Sequence, residues 1–319
     1  AIPMPRSYRS CAVAASLWLL VAPVGQAQPR TRAECEAAYP ASWGRAGKDV
    51  VWVPTSDAVV LAMLSMAQVA PEDVVLDLGA GDGPIAIAAA RSFGARAVGV
   101  EYDAHMAKRA ACLVEAEGLV DRVRIVEGDI FKEDFGRASV VTMYLLPHLN
   151  LCVRHRLLAL EPGTRVVSHQ YTMEEWEPDQ SVQIQGRGVH MWVVPARVGG
   201  VWEFRDSREA VHAIELRQTF GAVSGYVLRG DRREALTSAT LRGGELRFGF
   251  EAAGAAVRFS GTVRGAEITG VLTSGTSART AVGRPRGARD GAPWAEMVLG
   301  CEKYYERPPA SRPGRGGQP

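Results

Sequence analysis

Apolar positions recur with two different periods along this chain, and the period changes near Trp202. Before that point, short β-branched runs alternate with stretches of helical spacing. Val74, Val75, Leu76 and Leu78 read as a strand covered on both faces, and IAIAAARSF after Pro84 reads as a helix stopped by Gly94. Upstream, a short helix is expected over Arg32 to Ala38. A second, capped by Ser56 or Asp57, has Val60, Leu64 and Ala67 on one side and ends by Pro71. Downstream, Ala97 to Glu101, Val123 to Glu127, Ala138 to Leu146 and Arg165 to Met173 read as further strands. Helices are expected from Asp103 to about Gly118 and through LCVRHRLLAL, and Val182 to Ala196 as a closing antiparallel hairpin. Strand and helix in alternation predict a doubly wound α/β sheet of Rossmann-like type with helical cover on both sides.

From Trp202 to about Gly287 no helical period survives. Leu246, Phe248 and Phe250 fall on one face of a strand; so do Val257, Phe259 and Val263, with Ile268 in the next run. Glycine-containing turns such as RGG and RGAE separate these runs. The pattern predicts an antiparallel β-sandwich or small barrel of about seven or eight strands, with no catalytic constellation of its own. The chain thus divides into residues 1–27, an α/β domain over 28–200, a β-rich domain over 201–290 and a carboxyl segment over 291–319. The tail from Arg307 to Pro319 is rich in arginine, proline and glycine and is expected to be disordered.

Composition changes the picture mainly at the amino terminus. Arg6 and Arg9 precede the apolar stretch Cys11 to Val24, followed by Gly25, Gln26 and Ala27. That is the layout of a secretory signal cleaved after Ala27, with Met4 as its start; a buried helix or membrane anchor is the alternative. The chain would then be periplasmic or secreted, and otherwise membrane-anchored or cytoplasmic. No apolar run is long enough to span a bilayer in the mature chain. A net charge of +2 over 319 residues gives no electrostatic reason to expect nucleic acid as the main partner. Cys35, Cys112, Cys152 and Cys301 remain after cleavage, an even number without a metal-binding spacing. Cys112 and Cys152 sit in apolar helical contexts and read as core thiols, whereas Cys35 and Cys301 are left free to pair with each other.

The chemistry concentrates where the first strand ends. Asp77 precedes Gly79, Gly81 and Gly83, three alternate glycines that let the backbone turn sharply and approach a ligand, and Pro84 suits the first turn of a helix. A dinucleotide site wants G-x-G-x-x-G aimed at a pyrophosphate. Here the spacing is G-x-G-x-G, flanked by carboxylates at Asp77 and Asp82, which would repel a pyrophosphate and tolerate a cationic cofactor. Glu101 ends the second strand about twenty residues on, where a carboxylate can accept ribose hydroxyls. Asp129 follows the third strand with Ile130 beside it; a turn residue or helix cap is the alternative role for Asp129.

These stretches resemble motif I and its companions in the class I S-adenosylmethionine (SAM) methyltransferases. A VPT segment before the first helix, DLGAGDG, GVE, GD and YLLP resemble the branch containing archaeal protein-lysine methyltransferases and the enzyme that methylates a lysine of the ATP synthase c-subunit. The resemblance covers about Val50 to Trp202. It implies SAM as cofactor, held by Thr55, Asp77, Gly79, Gly81, Gly83, Glu101, Asp129 and Ile130, with Thr55 toward its carboxylate or else capping a helix. It implies a protein lysine as methyl acceptor. Tyr144 at the end of the fourth strand is the candidate for the acceptor channel, with Pro147 shaping the turn and His148 and Asn150 orienting the acceptor. Against this, Tyr144 could be a core aromatic and His148 a cap. His169 and Trp176 could line the same mouth. No metal is needed for displacement from a sulfonium. A small-molecule acceptor, or an exported ligand-binding protein whose sheet has lost catalysis, are the competing readings.

Overall fold

Parallel strands paired on either side of the glycine turn set the frame of the molecule. The computed structural model describes residues 30–41, 51–287 and 291–306. The stretch read as an export signal and the tail from residue 307 lie outside the described residues. Helix α1 (Arg32–Ala38) starts at Thr31, whose hydroxyl accepts from the Glu34 N–H while the Glu34 carboxylate accepts from the Thr31 N–H. After α2 (Asp57–Met66) come β1 (Val74–Leu78), α3 (Pro84–Phe93), β2 (Arg96–Glu101), α4 (Ala104–Ala116) and β3 (Val123–Glu127). Then follow β4 (Val140–Met143), α5 (Pro147–Leu157), β5 (Arg165–His169), β6 (Gln180–Ile184) and β7 (Arg187–Val193).

These strands form one seven-stranded sheet in the order β3-β2-β1-β4-β5-β7-β6. The first five are mutually parallel, and β7 and β6 close the edge antiparallel. Strand order reverses between β1 and β4, which opens a crevice at their carboxyl ends. Alternate residues feed two cores. Val75, Val140 and Val167 pack toward α2, α3 and α4; Leu76, Val141 and Val166 pack toward α5. The fourth strand is shorter than its apolar run suggested. Pro147 takes the first position of α5, so Tyr144 to Leu146 form an open corner and the helix begins before LCVRHRLLAL.

Of the sandwich and the small barrel expected, the β-rich half takes the barrel-like form, a single curled sheet. It comprises β8 (Gly200–Asp206), β9 (Val211–Thr219), β10 (Ala222–Arg229), β11 (Arg232–Ala235), β12 (Ser238–Arg242), β13 (Glu245–Ala252), β14 (Ala255–Arg264), β15 (Glu267–Ser274) and β16 (Ser277–Pro285). All neighbours are antiparallel, with β8 and β16 paired mid-sheet. The two ends approach where Leu236 N–H donates to Gly225 O and Thr237 N–H to Gly249 O, at 2.9 and 2.8 Å. Nine strands stand where seven or eight were expected, because β11 is polar, exposed and short, and β12 is a five-residue strand with only Leu241 fully in the core. Its interior is full: Phe204, Phe248 and Phe259 contact one another with centroids 4.8 to 5.2 Å apart.

The two halves meet at the β9–β10 turn. Phe220 adopts a left-handed backbone (φ 51°) and lies nearly parallel to Trp176 at 6.1 Å, with Trp294 at 5.3 Å. The chain then returns to the first sheet. Residues 291–306, with a 3₁₀ turn at Pro293–Ala295 and α6 (Glu302–Glu306), contribute Ala295, Cys301 and Tyr304 to the core beneath α5.

The cysteine pairing differs from expectation. Cys35 bonds Cys112 with Cα atoms 5.6 Å apart, and Cys152 bonds Cys301 at 5.2 Å. The helical cysteines are therefore bridged, not core thiols, and Cys35 and Cys301 do not meet. The cause is tertiary: α1 lies across α4, and the carboxyl segment returns to α5. Closing loops of 77 and 149 residues stabilises the fold by about 4–5 kcal/mol each in a chain-entropy account.

Candidate functional site

The carboxyl ends of β1, β2 and β4 border a cavity of about 590 Å³. Asp77 stands at its floor, 2% exposed, and accepts a hydrogen bond from the Thr142 hydroxyl at 2.7 Å. Burial pushes its carboxyl up to about 7. Glu101 ends β2 and accepts from the N–H of Gly81 and of Asp103, both at 2.8 Å, which ties the glycine turn to the second strand. Burial raises the Glu101 carboxyl as well, against the effect of those two donors. Among the described residues neither carboxylate pairs with a lysine or arginine. One buried and one half-buried carboxyl group without a counter-cation fit a cationic ligand and oppose a phosphate.

The glycines shape the cradle. Gly81 has φ +57°, and a Cβ there would come within 2.7 Å of Trp52 Nε1; at Gly79 one would meet Leu145 at 3.0 Å. Any side chain would fill the space that a ligand needs. Gly83 does not border the cavity. It occupies the N-cap of α3 in a left-handed conformation, and its role is conformational. At the far end, Asp129, Ile130 and Phe131 line the cavity. Asp129 Oδ1 also accepts from the Phe131 N–H at 3.1 Å, so its turn-forming and cavity-lining positions coexist.

Tyr144 and Tyr171 border the cavity beside Leu145 and Leu146. Tyr144 lies over His169 with ring centroids 3.9 Å apart, and Tyr171 is 6.5 Å away. The His169 Nδ1 is 3.3 Å from the Thr55 hydroxyl. Burial, aided by the positive charge of Arg187, drives the imidazole down to about 4, so the ring is neutral at physiological pH. Burial also raises the Tyr144 phenol. The helix cap is at Ser56, and Thr55 instead lines the cavity.

Three residues expected beside the acceptor are not brought to the cavity. Pro147 and His148 are exposed in the first turn of α5. Asn150 is buried and turns inward, where its amide donates to Ser168 Oγ at 3.1 Å and to Tyr171 O at 3.3 Å. It fixes the segment that carries Tyr171. The starting point of α5 is the cause: a helix from Pro147 rotates those side chains away from the corner. Trp176 is likewise buried in the core, where its carbonyl accepts from Trp192 Nε1.

Sequence reasoning passed over Trp52, Tyr102, Phe131 and Tyr171, all at the cavity. Tyr102 and Phe131 directly follow Glu101 and Ile130, and that adjacency is their only signal in the sequence. Trp52 and Tyr171 carried none beyond being aromatic near a strand end or the VPT segment. Among the described residues no group of three or more His, Cys, Asp or Glu side chains is arranged to hold a metal ion, and no helix is long and apolar enough to cross a membrane.

Comparison with known proteins bears on the same region. Residues 77–180 match the model of the ANTKMT methyltransferase domain. A protein-lysine N-methyltransferase of Saccharolobus islandicus (strain REY15A) is 41% identical over 138 residues, which is 43% of this chain and 86% of its own length. The enzyme of Xenopus laevis that N-methylates a lysine of the ATP synthase c-subunit is 30% identical over 139 residues, 43% of this chain and 59% of its own. A crystal structure of an RNA methyltransferase from Salinibacter ruber in complex with S-adenosyl-L-homocysteine shares 45% identity over 46% of this chain and 96% of that one, with a TM-score of 0.45. More than half of the present chain lies outside each of these three matches.

Proposed function

The chain belongs to the ANTKMT family of SAM-dependent methyltransferases, and on that premise we propose that it methylates the side-chain amine of a protein lysine. The bound cofactor supplies an electrophilic methyl group on a sulfonium that is already an activated leaving group. Asp77 and Glu101 hold its cationic and ribose portions, the glycine turn gives close backbone approach, and Asp129 with Ile130 receives the adenine. The observation that carries the acceptor assignment is the neutral aromatic corner at the end of β4, where Tyr144 covers His169 beside Tyr171.

A lysine amine ordinarily titrates near 10.4 and must reach the methyl group without its proton. A mouth of neutral rings and leucines disfavours the charged form and lowers that value. The proton leaves to solvent before transfer, so no carboxylate base is required at the corner. The aromatic faces then hold the methylated ammonium by cation–π attraction. Alignment of amine and methyl group, with exclusion of water, provides the remaining acceleration. Similarity to the archaeal and amphibian lysine methyltransferases supports the same acceptor. Two bonded cysteine pairs support export to an oxidising compartment.

The test is transfer from methyl-tritiated SAM into an extract, followed by separation of protein, RNA and lipid. The expected result is label in protein, recovered as methyllysine after acid hydrolysis. Label confined to RNA or lipid would overturn the acceptor assignment. For the compartment, the expected product is oxidised chain outside the cytosol, and a reduced cytosolic chain would overturn export.

A further inference from the structure

The carboxyl segment does more than close the core. Phe131 forms the cavity wall next to Asp129 and Ile130 and is 4% exposed. Its outer side is covered by α6. Tyr304 stacks on it at 4.7 Å with an interplanar angle of 20°, and Tyr305 meets it edge-on at 5.3 Å. Tyr305 is anchored in turn: its hydroxyl donates to the carbonyl of Cys152 at 2.7 Å, and its ring meets His155 at 5.1 Å. Cys152 bonds Cys301, one residue before α6. From the same side of the sheet, Arg156 of α5 donates to Ile130 O at 2.9 Å and also to Glu133 O. Helix α5, the carboxyl strap and the 129–133 turn therefore form one clamped unit, in which the Cys152–Cys301 bond is the disulfide that ties the strap to α5.

A helix of five residues has little stability of its own. Without the bond, the entropy of the free chain end opposes the docking of Tyr304 and Tyr305. The Phe131 wall would then lose its backing and the adenine end its shape. We propose that Tyr304 and Tyr305 are positioning residues for the adenine end of the cofactor site, and that the Cys152–Cys301 disulfide holds them there. The inference rests on the reading that adenine lies at Asp129 to Phe131. A dithiol reductant would open the bond to two thiols and be oxidised to a cyclic disulfide, so cofactor affinity becomes sensitive to the redox state of the compartment.

Calorimetric titration of the full chain with S-adenosylhomocysteine, and with its inosine analogue in which the exocyclic amine is an oxo group, tests this. Tyr304→Ala, with both disulfides intact, is expected to bind S-adenosylhomocysteine five- to tenfold more weakly and to lose most of the preference over the inosine analogue. Cys301→Ser is expected to do the same, with an unchanged far-ultraviolet circular dichroism spectrum. If Cys301→Ser does not fold, Tyr304→Ala decides alone. Unchanged affinity in Tyr304→Ala would overturn the proposal, as would equal weakening of both ligands with the preference kept, since that is the mark of general destabilisation. Asp129→Ala separates the premise: loss of the preference supports adenine at this end. A preference kept in Asp129→Ala removes the premise, and the strap's role with it, while leaving methyl transfer to lysine standing.

Discussion

The seven-stranded sheet and the nine-stranded sheet solve the same packing problem in opposite ways. The first leaves its carboxyl edge open at the β1/β4 switch point, and the cavity forms there over the buried carboxyl of Asp77, which is costly to keep dry. The second curls on itself and fills its interior with phenylalanines, leaving little room for a ligand. Chemistry lies where strand order reverses, and stability where the sheet closes.

Gly81→Val breaks the contrast most sharply. A branched side chain at a left-handed position, where even a Cβ would come within 2.7 Å of Trp52 Nε1, should abolish SAM binding by calorimetry while the chain stays folded. Phe259→Ala is the counterpart in the curled sheet. It should cost about 3–5 kcal/mol in chemical denaturation yet leave S-adenosylhomocysteine affinity of the folded protein within about twofold.

The pH dependence comes next in size. The Asp77 carboxyl is raised to about 7, so the ligand-free protein holds that proton below this pH. A bound cation favours the ionised form. Binding then releases the proton, and affinity should rise about tenfold from pH 6 to 8 and level off above, measured by titration in buffers of different ionisation heat. A falling or flat profile would remove Asp77 from the cation's surroundings. By the same linkage, the ligand-free protein should lose stability as pH rises from the ordinary carboxylate range through about 7. The smallest expected effect is at the aromatic corner after β4. Tyr144→Phe keeps the ring over His169 and removes the hydroxyl, so methyl transfer should fall several-fold with cofactor affinity unchanged. A change in affinity instead would assign Tyr144 to the cofactor.

The same contrast explains what could be read from residues alone. The open sheet was legible because β-branched runs, helix caps and the glycine turn are local signals; Asp77, Glu101 and Asp129 follow from strand ends. The faces of the curled sheet were equally legible at Leu246, Phe248 and Phe250, all buried. What stayed hidden depends on distant partners. Asn150 and His148 look like neighbours of Tyr144 until α5 starts at Pro147 and turns them elsewhere. Tyr171 reaches the mouth because Asn150 holds its carbonyl. The pairing of Cys152 with Cys301 spans 149 residues and required knowing that the chain comes back.

That return has a practical consequence. The nine-stranded sheet is spliced between two stretches fastened to the same body, so a protease nick in any of its hairpins would not separate the fragments. On a gel run without reductant the cut chain would migrate as one band, and only a thiol would reveal two.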